Sequence, residues 1–311
     1  MDESANPIKL PAVLVSLLLC AIGLGTVLYL FQQDAQRSQA YSFDKAAVIA
    51  AQIAAAQQNI ITNTETFLHK LAGSPALQDP GAPACRQHLA MVLDHAPMYV
   101  NLGVPRADGE LLCNARPLDK RVNVFDRGYF QRSLQQRVFA IGEFQLDRAA
   151  GVSSVNFAYP VLDPATDQVT GIAVAVVSLD WWSERLADFR LPPGSIALIT
   201  DRNGAVVANY PLRSDLLGKS SSRYAVSAAL QSVDRPSSET VLGDDAIARA
   251  FAHEVLYQTP ESGRVTVSVG IPLDRAPSAV RRWMGYVLVL LVLLVVGLLV
   301  MMVMGYPGRR D

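Results

Sequence analysis

Residues 153–179 read SSVNFAYPVLDPATDQVTGIAVAVVSL and predict the centre of an antiparallel sheet. Two runs of β-branched, aromatic and small apolar residues, at 153–161 and 171–179, flank the segment DPATD at 163–167. Such runs favour strands, and the Asp, Pro and Thr between them favour a turn. Side chains alternate between the two faces of a strand. We therefore expect two sets on opposite faces, namely Val174, Val176 and Ser178 against Ala173, Ala175 and Val177.

A second strand pair and a helix are predicted upstream of this hairpin. Strand-like runs at 99–104 and 110–116 flank PRADG at 105–109, and Asp-Gly is a strong signal for a tight turn between strands. A short helix is expected before them, at 84–95.

A long helix is expected over residues 34–72, where it ends at Gly73-Ser74-Pro75. Apolar or small residues recur there at a spacing of three and four, which is typical of one buried helix face: Ala46, Ile49, Ile53, Ala56, Ile60, Phe67 and Leu71. Two interpretations stay open. The helix packs on its own sheet, or it is a stalk that also pairs with a second copy in a homodimer.

A weak internal repeat predicts two modules. The stretch ADGELLCNARP at 107–117 resembles RNGAVVANYP at 202–211, and a strand pair at 247–255 and 264–271 follows the second copy. LPPG at 191–194 separates the copies. We expect an α+β fold of two stacked modules, 73–190 and 191–280, each with an antiparallel sheet, beside the long helix.

Two uncharged apolar runs, at 10–31 and 283–304, are each long enough to cross a membrane. The first is too long for a cleaved signal peptide and is followed by QQDAQR, without a small-x-small cleavage site. We expect two transmembrane helices, with the short ends, 1–9 and 305–311, in the cytoplasm. The first helix also offers Ala21 and Gly25, a spacing that permits close helix pairing.

Cysteine usage indicates the compartment of the large segment between these helices. Cys85 and Cys113 are its two cysteines, and an even pair suits a disulfide in an oxidising compartment. Two unrelated buried thiols are the alternative.

Charge and motifs argue against several functions. The 27 Lys+Arg nearly balance the 28 Asp+Glu, so no nucleic-acid surface is expected. We find no nucleophile elbow, zinc-protease motif or phosphate loop. The histidines are scattered, and Asp201-Arg202-Asn203-Gly204 is typical of a hairpin turn rather than a calcium loop. We expect no catalytic domain, metal or cofactor.

Four stretches resemble the double Cache domain, a PAS-like extracytoplasmic sensor of bacterial chemoreceptors, histidine kinases and diguanylate cyclases. They are DRGYF at 126–130, FAYPV at 157–161, SLDW at 178–181 and LITDRNG at 198–204, and the resemblance covers 41–274. It implies that the large domain lies in the periplasm, anchored in the bacterial inner membrane. It also implies the Cys85–Cys113 disulfide and a ligand in the membrane-distal module, 73–190.

The resemblance implies a set of ligand-binding residues: Arg127, Tyr129, Phe130, Gln145, Asp147 and Val176. Arg127 matches the arginine with which an amino-acid-binding subset of the family is expected to hold a carboxylate, and Val176 stands where that subset has an aspartate. A buried ammonium needs a partner charge. We therefore expect a small anionic metabolite rather than a free amino acid. Ser178 is expected on the face of Val176, and Asn156 joins from the neighbouring strand with its face undetermined.

Structural interpretations of these residues stay open. Arg127 pairs with Asp126 or Asp147, Tyr129 and Phe130 are core residues, or Gln145 and Asp147 lie on a solvated edge. If the site is elsewhere, Tyr210 and Arg249 in the second module are the next candidates.

The sequence thus predicts a membrane-bound ligand sensor for transmembrane signalling. Its partners would be a small-molecule ligand, the membrane, a second copy, and a fused or separate signalling protein. The alternative is a membrane-tethered periplasmic binding or assembly protein without its own signalling role.

Overall fold

The computed structural model describes residues 9–220, 238–243, 245–259, 263–273 and 279–304. The chain forms two compact units, the main unit Phe43–Pro272 and a terminal unit made of Met1–Ser42 and Leu273–Asp311. The expected cytoplasmic ends, apart from Lys9, lie outside the described residues.

The terminal unit contains apolar helices from both ends of the chain. Helix α1, Lys9–Ala72, begins in this unit and continues into the main unit, and the last described helix, α5, spans Ala279–Met304. Leu291 packs against Gly23, where an added Cβ would lie 3.3 Å from the leucine side chain. Of the described helices, α1 is long and apolar enough to cross a membrane; the apolar stretch found in α5, Gly285–Gly297, is shorter.

The first sheet of the main unit is antiparallel and has the strand order β2-β1-β6-β5-β3, with β4 also paired to β5. The predicted hairpin forms its centre, as β5 and β6. The elements of this module are α2 Pro83–Asp94, β1 Asn101–Pro105, β2 Leu111–Asn114, α3 Gly128–Gln136, β3 Ala140–Ile141, β4 Gln145–Leu146, β5 Ser153–Leu162, β6 Val169–Ser178 and α4 Leu179–Ala187.

The second sheet repeats this order as β8-β7-β11-β10-β9. Its strands are β7 Ile196–Thr200, β8 Val206–Tyr210, β9 Ser238–Leu242, β10 Ala248–Thr259 and β11 Gly263–Pro272. In both sheets the first strand lies between the second and the last, which accounts for the repeat in the sequence. The turn at 201–204 joins β7 to β8, and its Gly204 has a φ of +74°.

The alternation of side chains along β6 separates two hydrophobic cores, one on each face of the first sheet. Ala173, Ala175 and Val177 of β6 belong to a core that also contains α1 and residues of the second sheet. Val174 and Val176 belong to another core on the opposite face. The predicted alternation along β6 is therefore correct.

The buried face of α1 differs from the predicted one. Ala46, Ile53 and Leu71 are buried as expected, but Ile49, Ala56, Ile60 and Phe67 are only half-buried. The buried positions between them include the polar Gln57 and Thr64. Gln57 accepts a hydrogen bond from Trp182 Nε1 at 2.5 Å, and Thr64 accepts one from Tyr99 Oη at 3.1 Å. These hydrogen bonds allow polar residues to lie on the buried face of α1. A search for apolar residues alone therefore identified that face only in part.

Cys85 of α2 and Cys113 of β2 form the expected disulfide, with their Cα atoms 5.9 Å apart. Both residues are fully buried. Closing a loop of this size stabilises the folded chain by about 3–4 kcal/mol in the chain-entropy description.

A buried histidine makes the stability of the second sheet sensitive to acid. His253 is 5% exposed and its Nδ1 lies 2.8 Å from Ser268 Oγ. Burial lowers the pKa of His253 to about 4, below the value of about 6.5 of an unfolded chain. The unfolded state therefore binds more protons between these values, and stability falls as the pH falls through this window.

We predict that replacing this histidine flattens the acid side of the stability profile. His253→Asn keeps a group that can bond Ser268 but does not titrate. Its melting temperature should fall less than that of the wild type between pH 6.5 and pH 4, by an amount that corresponds to about 3 kcal/mol. Thermal unfolding across this range measures the difference. Parallel profiles for the two proteins would contradict the prediction.

Candidate ligand site

A small cavity lined by both polar and apolar residues lies on the face of the first sheet that carries Val174 and Val176. The register of three adjacent strands positions its floor, because Val176 of β6 pairs with Asn101 of β1 on one side and with Asn156 of β5 on the other. These three residues lie side by side and are at most 3% exposed. The sheet therefore presents two buried carboxamides to one cavity.

Tyr129, Asp147 and Asn156 form a hydrogen-bonded network at the cavity. Asn156 Nδ2 donates to Asp147 Oδ2 at 2.9 Å and to Tyr129 Oη at 3.3 Å. Ser154 Oγ donates to Asn156 Oδ1 at 2.8 Å. The other oxygen of Asp147 accepts the backbone N–H groups of Ala149 and Ala150, at 3.0 and 2.7 Å. The Asp147 carboxylate is thus buried with three donors, which compensates the loss of water.

The Tyr129 hydroxyl remains protonated at physiological pH. Burial raises the pKa of Tyr129 to about 12, against the effect of hydrogen bonds from Asn156 and Gln145. Because both amides donate to its oxygen, the hydroxyl hydrogen is left to donate to another group.

One acceptor at the cavity has no partner among the described residues. Asn101 Nδ2 donates to Asn114 Oδ1 at 2.9 Å, and Asn114 Nδ2 donates to the Arg116 carbonyl at 2.8 Å. Asn101 Oδ1 is buried and accepts no hydrogen bond. A buried acceptor without a donor is unfavourable by about 1–3 kcal/mol, so this oxygen favours a bound group that can donate.

Two arginines fasten the loop that covers the cavity. Arg148 donates from both Nη atoms to Asp126, at 2.6 and 2.8 Å, and also to the Asn123 carbonyl. Arg127 donates in the opposite direction, to the Leu146 carbonyl at 3.3 Å. We call this pair of contacts, between residues 123–127 and residues 146–148, the arginine clasp. The hydrogen bond that Arg148 donates to Asp126 lowers the pKa of Asp126.

The cavity is too small for a metabolite in this state. Its volume is about 20 Å³, room for about one water molecule. A metabolite therefore enters only if the loop that carries Arg148 moves away from residues 123–127.

The structure brings together part of the predicted residue set. Tyr129, Asp147, Asn156 and Val176 line the cavity, and Gln145 lies behind Tyr129. Phe130, Arg127 and Ser178 are not among its lining residues; Phe130 is fully buried in the core beside it, and Ser178 pairs with Ser154 on β5.

Two of the structural interpretations of these residues do not agree with the structure. Asp126 pairs with Arg148 rather than with Arg127, and Gln145 and Asp147 are buried rather than solvated.

The sequence analysis missed Asn101, Asn114 and Arg148, which also line the cavity. The two asparagines stand inside predicted strands among apolar residues, and that polar interruption was a usable signal. No such signal existed for Arg148, because its orientation depends on the turn at Asp147. In the described parts of the chain, no group of three or more potential metal ligands occurs.

Neither protein-family models nor curated proteins match this sequence. Solved structures do match. The extracellular domain of the candidate histidine kinase rpHK1S-Z16 is 17% identical, with a TM-score of 0.63, over 75% of this chain and 95% of that one. The chain has the fold of an extracellular sensor domain. This outcome agrees with the resemblance to Cache-type domains.

Two chemoreceptor domains have the same fold. The domain of Pseudomonas aeruginosa PAO1 amino acid chemoreceptor PctB, in complex with L-Arg, is 14% identical with a TM-score of 0.61, over 75% of this chain and 89% of that one. The ligand-binding domain of Pseudomonas fluorescens chemoreceptor CtaA, in complex with L-serine, is 16% identical with a TM-score of 0.56, over 73% and 95%.

We predict that the arginine clasp controls the opening of the cavity loop. Asp126→Asn removes the charge that holds Arg148, and exposed pairs of this kind contribute about 0.2–1 kcal/mol. The amides of Ala149 and Ala150 should then exchange with deuterium about 1.4 to 5 times faster. Asp215→Asn is the matched control, because Asp215 makes a similar two-atom contact with Arg213 in the second module. Equal exchange at Ala149 and Ala150 in both variants would show that the clasp does not hold the loop.

Proposed function

We propose that this chain is a membrane-anchored sensor that binds a small metabolite in the cavity of the first module and signals across a membrane. The observation that carries the proposal is the cavity itself. It combines an unfilled acceptor on Asn101, a buried hydroxyl on Tyr129 and a closable loop, within a fold whose solved examples bind small ligands.

We propose an anionic ligand whose charged group binds Arg148. Arg148 lines the cavity and already holds a carboxylate, that of Asp126, through two parallel hydrogen bonds. A ligand carboxylate of the same geometry can replace Asp126 when the loop opens. The free hydrogen-bond donors of such a ligand would bond Asn101 Oδ1. Arg127 stays a second candidate for the anion, because it belongs to the same clasp.

Val176 supports the choice of an anion over an amino acid. It stands on the floor between Asn101 and Asn156 and supplies no charge for an ammonium. Asp147 supplies a negative charge, but its two oxygens already accept three hydrogen bonds.

A thermal-shift screen of residues 34–280 against metabolites tests the binding. A ligand at a hundred times its dissociation constant stabilises the domain by about 2.7 kcal/mol. For an anionic hit we expect Arg148→Ala to remove most of the shift and Val176→Asp to reduce it through charge repulsion. Arg127→Ala reports whether the second arginine contributes. Arg213→Ala, in the second module, is the control and should not change the shift. Equal binding to wild type, Arg148→Ala and Val176→Asp would place the site elsewhere, with Tyr210 and Arg249 next to be tested.

Membrane anchoring through both apolar helices is the second part of the proposal. The continuous helix α1 and the uncharged run at 283–304 support two crossings, with the main unit in the periplasm. We expect reporter fusions after Leu191 to be active only as periplasmic reporters, and fusions after Arg310 only as cytoplasmic ones. The reverse pattern contradicts the topology, and fusions on the same side contradict the second crossing.

A further inference from the structure

Residues 142–145 connect the cavity of the first module to the second module. Residues 142–144 join β3 to β4 and Gln145 is the first residue of β4, and we call these four residues the strap. Their two ends contact residues of the cavity network, and their middle contacts the β7–β8 turn of the other sheet.

The strap fits closely against the cavity network. The Gly142 N–H donates to the Asn156 carbonyl at 2.7 Å. A Cβ at Gly142 would lie 2.9 Å from that carbonyl oxygen and 3.1 Å from Tyr129 Cδ1, so there is no space for a side chain. At the other end, Gln145 is 7% exposed, and the interaction of its side chain with the Tyr129 hydroxyl acts to lower the pKa of Tyr129. Tyr129 is therefore adjacent to both ends of the strap.

The middle of the strap bonds a buried carboxylate of the second module. The Phe144 N–H donates to Asp201 Oδ2 at 3.0 Å. The other oxygen of Asp201 accepts the N–H groups of Asn203 and Ala205, each at 2.9 Å, and Asp201 is 7% exposed. The same carboxylate thus orders the β7–β8 turn and fixes the strap.

Side chains of the strap add two further contacts to the second module. The Phe144 ring covers Gly218, where a Cβ would lie 2.3 Å from the ring and where φ is +75°. Glu143 Oε1 lies 2.7 Å from Arg132 of the first module and 4.0 Å from Arg202 of the second. The contact between the two modules therefore combines a backbone hydrogen bond, a packed aromatic ring and charged side chains.

We propose that the strap transmits the state of the cavity to the second module. Rearrangement of the hydrogen bonds to Tyr129 shifts Gln145 and Gly142, and Phe144 carries this shift to Asp201. The turn at 201–205 then loses part of its order. The ligand as the cause of the rearrangement rests on the proposed function; the coupling is a property of the chain without ligand.

Hydrogen–deuterium exchange of the full chain in detergent micelles tests the coupling. Tyr129→Phe removes the hydroxyl that Gln145 and Asn156 bond. We expect the amides of Asn203 and Ala205 to exchange roughly 2 to 30 times faster, the range that couplings of about 0.5–2 kcal/mol produce. Tyr99→Phe is the matched control. It removes another buried hydroxyl from the same module, one that donates to Thr64, and it should leave those two amides unchanged.

A second mutation, combined with Tyr129→Phe, distinguishes coupling through the strap from coupling by other routes. Asp201→Asn keeps one oxygen for Asn203 and Ala205 but presents an N–H₂ group to the Phe144 N–H. In this background Tyr129→Phe should add no acceleration. If Asp201→Asn does not fold, Phe144→Ala is the second background. It removes the ring over Gly218 but keeps the hydrogen bond to Asp201, so Tyr129→Phe should then add less acceleration than it does in the wild type.

Three outcomes would overturn the proposal. They are no acceleration with Tyr129→Phe, equal acceleration with Tyr99→Phe, and acceleration that persists when the strap contact is broken. No ligand enters the experiment. A failed coupling therefore leaves the ligand proposal untouched, and a failed ligand screen leaves the coupling untouched.

Discussion

The rest of the domain depends on the pairing of β6, because this strand lies inside its sheet and both of its faces are buried. Its odd-numbered residues join the core that contains α1 and the second sheet, and Val174 and Val176 face Tyr129 and Phe130. A shift of register by one residue would exchange these sets. It would place valines against the long helix and small alanines under the cavity. The same pairing therefore fixes where the helix packs and where the cavity lies.

The polar groups around the cavity have almost all of their hydrogen bonds formed within the chain. Asp147 has three donors, Asn156 bonds through both ends of its amide, and Tyr129 accepts from two amides. In surroundings of low polarity, such a network is rigid and penalises a wrong partner strongly. At the cavity, Asn101 Oδ1 accepts no hydrogen bond from the described residues. A molecule that enters without a hydrogen-bond donor would leave that acceptor buried and unpaired.

Much of the fold followed from the sequence, because periodicity and turn chemistry are local properties. The hairpin at 153–179, the alternation along β6 and the repeated strand pattern all rest on residues close together in the chain. The buried face of α1 was predicted in part: Ala46, Ile53 and Leu71 are buried. The polar Gln57 and Thr64 on that face were missed, because Trp182 and Tyr99, which stabilise them, are distant in sequence.

The cavity could be predicted only in part, for the same reason. Tyr129, Asp147 and Val176 were found through a family resemblance. Asn101 and Arg148 depend on strand register and on a turn, and no local pattern encodes either. The loop beside the cavity is held by contacts between residues more than twenty positions apart, such as Arg148 and Asp126.

The contact between Phe144 and Gly218 has a consequence for how this domain can evolve. The two modules share a strand order and a sequence repeat, which is typical of an ancestral duplication. Duplicated modules can in principle be exchanged by recombination. Here an incoming second module would have to bring both an acceptor at position 201 and a residue without a side chain at 218. A crossover between the two halves at 191–194 would therefore separate residues that pack against each other.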